Sequence, residues 1–260
     1  MINKIVHFSD LHIKLFKDHD LYKGIMISAL NEWKKIQPDR IVFTGDLVHS
    51  KNQMTPELIE LVAWILTECS KIAKTILIIG NHDFLENNMS RLDALSPIID
   101  SLNNENIVYY KNRGVYADNN INWCVYSLMD HNLPPEILQN ENVNIGLFHG
   151  PIQGLTTDIG YKFDEGFDSN KFAGCELVLC GDIHKRQIFD IPNGKKAYMI
   201  GSTIQQNFGE TIKNHGFGIY DVLQKTYQFI DLKNSKPFLS FKIESIEDLE
   251  NGTEKLLNYE

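Results

Sequence analysis

The sequence is short of the features that would place it in several protein classes. It has 4 cysteines in 260 residues, Cys69, Cys124, Cys175 and Cys180, and no Cys-x-x-Cys pair. That excludes a disulfide-stapled scaffold. Each cysteine lies in an apolar stretch, as a small buried hydrophobe in a reducing compartment does. No run approaches the ~18 apolar residues of a membrane span. Met1–Asp10 has no apolar signal-peptide core, so the expected location is the cytoplasm, that of the host if the chain is viral. Basic charge is not in excess either, with 25 Lys and Arg against 34 Asp and Glu and a net charge of −9. A basic nucleic-acid coat is thereby excluded, but a local basic groove is not, nor are carboxylates gathered around cations. There is no internal repeat and no low-complexity segment. Hydrophobic residues make up 43% and charged residues 23%, which is ordinary for a globular chain. The length is enough to bury a core without disulfides.

What is there is a run of short apolar segments separated by helical periodicity. Ile5–Phe8, Ile41–Phe43 and Thr75–Ile79 read as buried strands. Between them, Leu21–Ile36 places Leu21, Ile25, Ala29 and Trp33 at four-residue steps. Thr55-Pro56 reads as an N-cap and first helical residue, followed by Leu58, Leu61, Val62, Ile65, Leu66, Cys69 and Ile72 on one face. Strand and helix in alternation imply an α/β domain. Later the helices thin out. Ile107–Tyr110, Ile121–Tyr126, Val143–Phe148 and Leu177–Cys180 read as strands. Pro192-Asn193-Gly194 reads as a hairpin turn between Gln187–Ile191 and Lys196–Ile200, and Phe217–Val222 with Tyr227–Leu232 as a second hairpin. The expected architecture is a central two-sheet β-sandwich flanked by helices over residues 1–236. Residues 237–260 are a short tail: a strand at Phe238–Ile243, the possible start of a capping domain, then a charged helix. The long Gly- and Asp-rich stretch Gly150–Gly174 reads as a functional loop.

The chemistry sits just past the strands. Ser9-Asp10-Leu11-His12, Thr44-Gly45-Asp46, Gly80-Asn81-His82-Asp83, His149-Gly150 and Gly181-Asp182-Ile183-His184 each follow one. The carboxyl ends of strands form the ligand crevice of α/β sheets, so these segments should converge. Asp, Asn and His without Cys suit a hard or borderline divalent ion, Mn²⁺ or Fe²⁺ before Cu⁺ or structural Zn²⁺. Several histidines argue against a pure Mg²⁺ site. Asp10, His12, Asp46, Asn81, His149, Asp182 and His184 are too many for one ion with an open position, and suit two ions sharing a carboxylate. Any one of these motifs alone is weak, since Gly-Asp is usually a turn. Their order, each directly after a strand, is what carries the signal. His49, in Gly45-Asp46-Leu47-Val48-His49, is a further site candidate or a surface residue at a helix entry.

These motifs resemble the calcineurin-like metallophosphoesterase superfamily. The resemblance implies its fold, with Asp10, His12, Asp46 and His184 holding one ion and Asp46, Asn81, His149 and Asp182 the other. It implies His82 as general acid or transition-state stabiliser, and Asp83 as the group that orients His82. One position departs: the last motif usually reads Gly-His-x-His, and here aspartate stands at 182, which adds negative charge and favours a harder ion. Gly45–His49, Leu147–Gly150, Gly181–Gln187, Ile200-Gly201-Ser202-Thr203, Asn207-Phe208-Gly209-Glu210 and His215-Gly216-Phe217 are similar to the SbcD and Mre-eleven repair nucleases. Gly80–Asp83 with Asn88, Arg91, Leu92 and Leu95-Ser96-Pro97 is similar to tailed-phage versions.

That narrower resemblance implies a Mn²⁺-dependent DNA exonuclease and endonuclease in double-strand break repair and recombination. It also implies a homodimer and an SbcC or Rad-type SMC-like ATPase as partner. The helices Leu21–Ile36 and Thr55–Ala73 become candidates for the dimer contact, or simply pack on the sheet. With a net charge of −9, phosphate contacts must come from local cations and the metals; Lys185, Arg186, Lys51 and Arg91 are candidates. Two other readings stand beside it: a phosphoesterase of another substrate, such as a phosphoprotein or cyclic nucleotide, and a metal-poor scaffold that keeps the fold.

Overall fold

Alternation along the strands decides how the layers stack. The structure, a computed structural model, describes residues 1–14, 16–240 and 244–247. Strands β1 (Lys4–Phe8), β2 (Arg40–Phe43) and β3 (Lys74–Ile78) are buried almost throughout, as parallel strands covered on both faces are. In β2 the Ile41 and Phe43 side chains join the helix-side core with Trp33, Met26 and Ile65. Val42 between them joins Ile5, Ile76, Trp123, Leu147 and Leu179 in the core between the two sheets. A one-residue slip would exchange the two sets.

Between these strands lie α1 (His19–Ile36) and α2 (Pro56–Ile72). Thr55 caps α2, its hydroxyl accepting from the Leu58 amide at 3.3 Å, with Pro56 at the first helical position. The chain continues through α3 (Ser96–Leu102), β4 (Ile107–Tyr110), β5 (Gly114–Asp118), β6 (Ile121–Tyr126), β7 (Val143–His149), β8 (Leu177–Gly181), β9 (Gln187–Ile191), β10 (Lys195–Met199), β11 (Gly216–Asp221) and β12 (Thr226–Asp231). One sheet has the order β12-β11-β1-β2-β3-β4, the other β5-β6-β7-β8-β10-β9. β1 to β4 run parallel, as do β6, β7, β8 and β10; β11 and β12 extend the first sheet antiparallel beyond β1, and β5 and β9 are the antiparallel edges of the second. The expected α/β two-sheet architecture is therefore the observed one. At the β9–β10 turn Asn193 and Gly194 both take positive φ, 65° and 68°, as tight hairpins require.

Some details differ from the sequence expectation. Strand β5 and the 7-residue α3 have weak patterns, one a half-exposed edge and the other barely two turns long. The stretch 150–174 is not loose. Two isolated bridges, Ile152–Phe167 and Thr156–Lys162, fold it back on itself, and Phe172 is fully buried against Tyr126, Phe148 and Phe167. Phe238 to Ser240 form no strand. The rest of the expected strand, at 241–243, and the tail beyond 247 lie outside the described residues. All four cysteines are buried and unpaired. Among the described residues no helix is long and apolar enough to cross a membrane.

Phe172→Ala should cost about 3 kcal/mol or more of unfolding free energy, because it empties the aromatic cluster that anchors the 150–174 stretch. Urea denaturation checks this, and a loss below about 1 kcal/mol would show that the stretch is held otherwise.

Candidate dimetal centre

Five strands deliver polar residues to one edge of the sandwich. β1, β2 and β3 of the first sheet and β7 and β8 of the second all end there. The loops after them approach so closely that glycines at 45, 80 and 181 leave no room for a side chain. A Cβ on Gly80 would strike the Asp46 amide and carboxylate, and one on Gly181 would strike the Ser9 hydroxyl and the Thr44 carbonyl. The backbone is also bent. Asp10, His12, Asp46 and Asp182 take φ of 51°, 47°, 62° and 94°, a left-handed region that costs an L-residue about 1–2 kcal/mol. Non-glycine residues persist there only where the surroundings over-determine them. Here the Asp10 amide donates to the Gly45 carbonyl at 3.1 Å and the His12 amide to the Asp46 carbonyl at 3.0 Å. The Asp182 amide donates to the Asp10 carboxylate at 3.1 Å.

Two donor sets result, and they share one oxygen. His12 Nε2 lies 3.4 Å from Asp46 Oδ2, 3.7 Å from Asp10 Oδ1 and 2.9 Å from His184 Nε2. His149 Nε2 lies 3.4 Å from the same Asp46 Oδ2, 3.7 Å from Asp182 Oδ1 and 3.3 Å from Asn81 Oδ1. All seven residues expected as ligands are thus brought together in the two groups expected, with Asp46 between them.

The donor chemistry fits cations. His149 Nδ1 donates to the Thr44 carbonyl at 2.6 Å, and His184 Nδ1 to Glu210 Oε1 at 2.7 Å. In the neutral ring each Nε2 is then a bare lone pair, and that of His149 faces the Asp46 and Asp182 carboxylates. A cation there, a metal ion or a proton, relieves that opposition. Burial disfavours charging His149, yet Asp46, Asp10 and Asp182 push its pKa well above the ordinary value. His184 is likewise raised, burial being outweighed by Glu210 and Asp10. Burial raises Asp10 to about 6 and raises Asp182. Burial keeps His12 neutral, its pKa well below normal, and a neutral imidazole is the ligating form.

His82 and His49 border the centre. The His82 amide donates to Asp46 Oδ1 at 2.8 Å, and its Nδ1 lies 2.6 Å from the His49 carbonyl. The two rings stack at 5.5 Å, and ring nitrogens of His12, His49 and His82 fall within 4.8 Å of one another. Asp83 does not orient His82. Its carboxylate accepts from the amides of Asp46 at 2.9 Å, Gly80 at 3.0 Å, Leu47 at 3.1 Å and Val48 at 3.4 Å. It therefore clamps the β2 loop to the β3 loop, and burial with the nearby Asp46 raises its pKa to about 7. The His49 carbonyl, not Asp83, fixes the His82 ring.

The expected cationic residues divide. Lys185 lines a cleft of about 290 Å³ with Asp182 and His184, its Nζ 2.9 Å from Thr156 Oγ1. Arg186 is committed elsewhere: Nη1 meets Asp231 Oδ1 at 2.5 Å and the guanidinium covers the Phe229 ring at 4.7 Å. A buried bidentate-capable group held by a carboxylate and a ring is structural, so the substrate role expected of Arg186 is withdrawn. Arg91 is exposed and lines neither cleft at the centre. Lys51 Nζ donates to the Asn81 carbonyl at 2.8 Å. The residue that sequence reasoning missed is Glu210, which also accepts from Ser202 at 3.2 Å, Asn207 at 2.9 Å and the Gln206 amide at 2.8 Å. A second cleft, about 770 Å³, opens at His49.

A family model described as calcineurin-like phosphoesterase matches residues 3–186. An uncharacterized protein, R555, of Acanthamoeba polyphaga mimivirus is 34% identical over 257 residues, covering 93% of this chain. The chain spans 19% of that relative's length. The crystal structure of a dimetal phosphatase from Danio rerio superposes with a TM-score of 0.49 at 11% identity, covering 85% of this chain and 92% of that one.

Two outcomes test the centre. Glu210→Gln should weaken divalent-ion binding by about 10–100-fold, read by calorimetric titration with Mn²⁺, because His184 loses its anchor; unchanged affinity would dismiss Glu210. Mn²⁺ at 100 times its dissociation constant should add about 2.7 kcal/mol of stability, seen as a raised melting temperature. Asp46→Asn should lose most of that gain.

Proposed function

The chain belongs to the calcineurin-like phosphoesterase family, and from that premise we propose that it is a DNA phosphodiesterase: a nuclease of the SbcD and Mre-eleven type, acting with Mn²⁺ on DNA breaks and recombination intermediates. The observation that carries the reading is the pair of clefts. One reaches the centre at His49 and the other at Asp182 and His184. A phosphomonoester has one substituent to accommodate; a diester has two, and each needs its own path away from the phosphorus.

Asp10, His12, Asp46 and His184 would hold one divalent ion, and Asp46, Asn81, His149 and Asp182 the other. When bound, two such ions offset phosphate charge and activate the attacking water. The residues of the chain do the rest. Asp46 and its neighbours fix the spacing of the two sets, and Asp83 holds the Asp46 loop against the β3 loop. His82, with Nδ1 committed to the His49 carbonyl, keeps a single orientation, and its protonated form offers Nε2–H to the departing oxygen. His49 stacks on that ring and restricts its motion. Lys185 sits where a neighbouring phosphate of the strand would lie. A homodimer through α1 and α2, where Ile27 and Ile59 are 43% and 41% exposed, and an SMC-like ATPase partner belong to the same reading.

Labelled linear duplex and single-stranded DNA, incubated with Mn²⁺, Mg²⁺ or EDTA, should show Mn²⁺-dependent cleavage. His82→Ala should slow it by about 10²–10⁴-fold, the usual share of a general acid. If every DNA stays intact while bis-nitrophenyl phosphate is turned over, the nuclease reading falls and a phosphoesterase of another substrate takes its place.

A further inference from the structure

Where β11 begins and β12 ends, the chain encloses a crevice of about 340 Å³ that shares no lining residue with the two clefts at the dimetal centre. Its walls come from two segments, one just before β11 and one running from the end of β12 into the chain beyond it. The segments are tied together, the Leu232 amide donating to the His215 carbonyl at 2.9 Å. The first wall is held in place. His215 is buried, its Nε2 donates to the Thr211 carbonyl at 2.7 Å, and its Nδ1 lies 3.0 Å from Ser202 Oγ. The Thr211 hydroxyl in turn donates to the Lys213 carbonyl at 2.9 Å.

The lining is cationic in a protein whose net charge is −9. Lys213 lines the crevice from one segment and Lys233 from the other. Among the described residues neither ammonium makes an ion pair or a hydrogen bond. Asp231 lines it too, but its carboxylate is held by Arg186 Nη1 at 2.5 Å. Three cations, Lys213, Lys233 and Arg186, thus stand against one carboxylate, a surplus of two. A neutral donor is unspent as well. Asn234 Oδ1 accepts from the Lys236 amide at 2.8 Å, which fixes the orientation of the side-chain amide. Its Nδ2 is then a buried donor, and among the described residues it has no acceptor. Such a group is costly to leave unmet, and in a folded protein it calls for an ion or a water. An anion supplies both the acceptor that Asn234 lacks and the charge that the two lysines lack. Free phosphate and phosphomonoesters approach two negative charges at neutral pH, which matches the surplus. A phosphodiester carries only one.

We propose that this crevice is a second, non-catalytic site that binds a dianionic phosphate, either inorganic phosphate or the terminal phosphate of a phosphomonoester, between Lys213, Lys233 and Asn234. Hydrolysis of a phosphodiester leaves a phosphomonoester, and hydrolysis of a phosphomonoester leaves inorganic phosphate. The ligand is therefore of the chemical class that the dimetal centre releases. The proposal goes beyond the nuclease reading and does not rest on it, because this class is released whichever phosphoester is cleaved.

The test is calorimetric titration of the full chain after a chelating resin has removed divalent ions, so that none draws phosphate to the dimetal centre. The probes are inorganic phosphate, thymidine 5′-monophosphate, dimethyl phosphate, and an oligothymidylate with and without a 5′-phosphate. Inorganic phosphate and the nucleotide should bind, and dimethyl phosphate, with one charge, should bind about 5-fold or more weakly. Lys213→Met, Lys233→Met and Asn234→Leu should each weaken phosphate binding by about 5-fold or more. Lys233→Arg keeps the charge and should bind phosphate. Lys236→Met removes a neighbouring charge that does not line the crevice, and should bind as the native protein does. Melting temperatures identify any variant that fails to fold. Tighter binding of the 5′-phosphorylated oligothymidylate than of its 5′-hydroxyl form assigns the site to strand ends as well; equal binding assigns it to free phosphate and nucleotides. Absence of phosphate and nucleotide binding overturns the proposal. So does equal binding of dimethyl phosphate, or phosphate binding unchanged in both lysine-to-methionine variants. No turnover is measured, so these outcomes leave the nuclease reading where DNA cleavage puts it.

Discussion

Three carboxylates, Asp10, Asp46 and Asp182, are withdrawn from water where the two sheets end together, and the arrangement around them follows from having to make that tolerable. Asp10 and Asp46 are almost completely buried. An uncompensated buried carboxylate costs several kcal/mol. Compensation comes from His149, His12 and His184, from backbone amides, and from cations when they are bound. The Asp46 carboxylate is the hinge of the scheme, because His12 and His149 both lie 3.4 Å from its Oδ2. Its pKa is pushed down despite burial, with His149 and His12 the main opposing influences. Outside the first circle the imidazoles are anchored in turn: His149 on the Thr44 carbonyl and His184 on Glu210. Those anchors set which nitrogen faces the centre.

The backbone strain belongs to the same logic. The residues bent into left-handed geometry include four of the ligand positions, Asp10, His12, Asp46 and Asp182. A strand that simply ended would aim its next side chain along the alternation of the sheet. The turn to positive φ redirects it sideways, toward the partner sheet. Asp83 holds the bend after β2 by collecting four amides on one carboxylate. Glycine at 80 and 181 lets the loops close to contact distance. Rigid packing below, with Trp123 and its neighbours filling the space between the sheets, is what holds these bends in place. Fold stability and site geometry therefore draw on the same core.

Much of this was legible in the sequence because each ligand lies next to the strand that positions it. Asp10 and His12 follow Phe8 directly, and Asp182 and His184 follow Gly181, so a strand pattern and a polar motif in register sufficed. The layers follow from side chains that join different cores in turn along one buried strand: Ile41 and Phe43 against Val42 in β2, and Leu177 and Leu179 against Val178 and Cys180 in β8. What escaped depends on contacts between distant segments. Glu210 is 26 residues from His184 and follows no strand-end motif. Arg186 follows a ligand and looked like a phosphate contact, but Asp231, 45 residues on, and Phe229 claim it. Asp83 looked like the partner of its neighbour His82, and instead serves main-chain amides, whose positions a sequence does not display. The edge strand β5 and the short α3 lacked the burial pattern that identifies elements.

Aspartate at 182 makes the two donor sets unequal. The Asp10–His12–Asp46–His184 set offers two imidazoles and two carboxylates, whereas the Asp46–Asn81–His149–Asp182 set offers one imidazole and three oxygens. Oxygen-rich sets lean toward harder ions and imidazole-rich ones toward borderline ions. The backbone amide of this position also donates to both oxygens of the Asp10 carboxylate. That bond compensates the Asp10 carboxylate and fixes the start of the loop after β8. A carboxylate there is shorter than the imidazole usual in the family, and burial raises its pKa, so it is held as an anion chiefly by the positive charge it faces. The negative balance at this end of the sandwich thus depends on cations more than that of a four-histidine centre would.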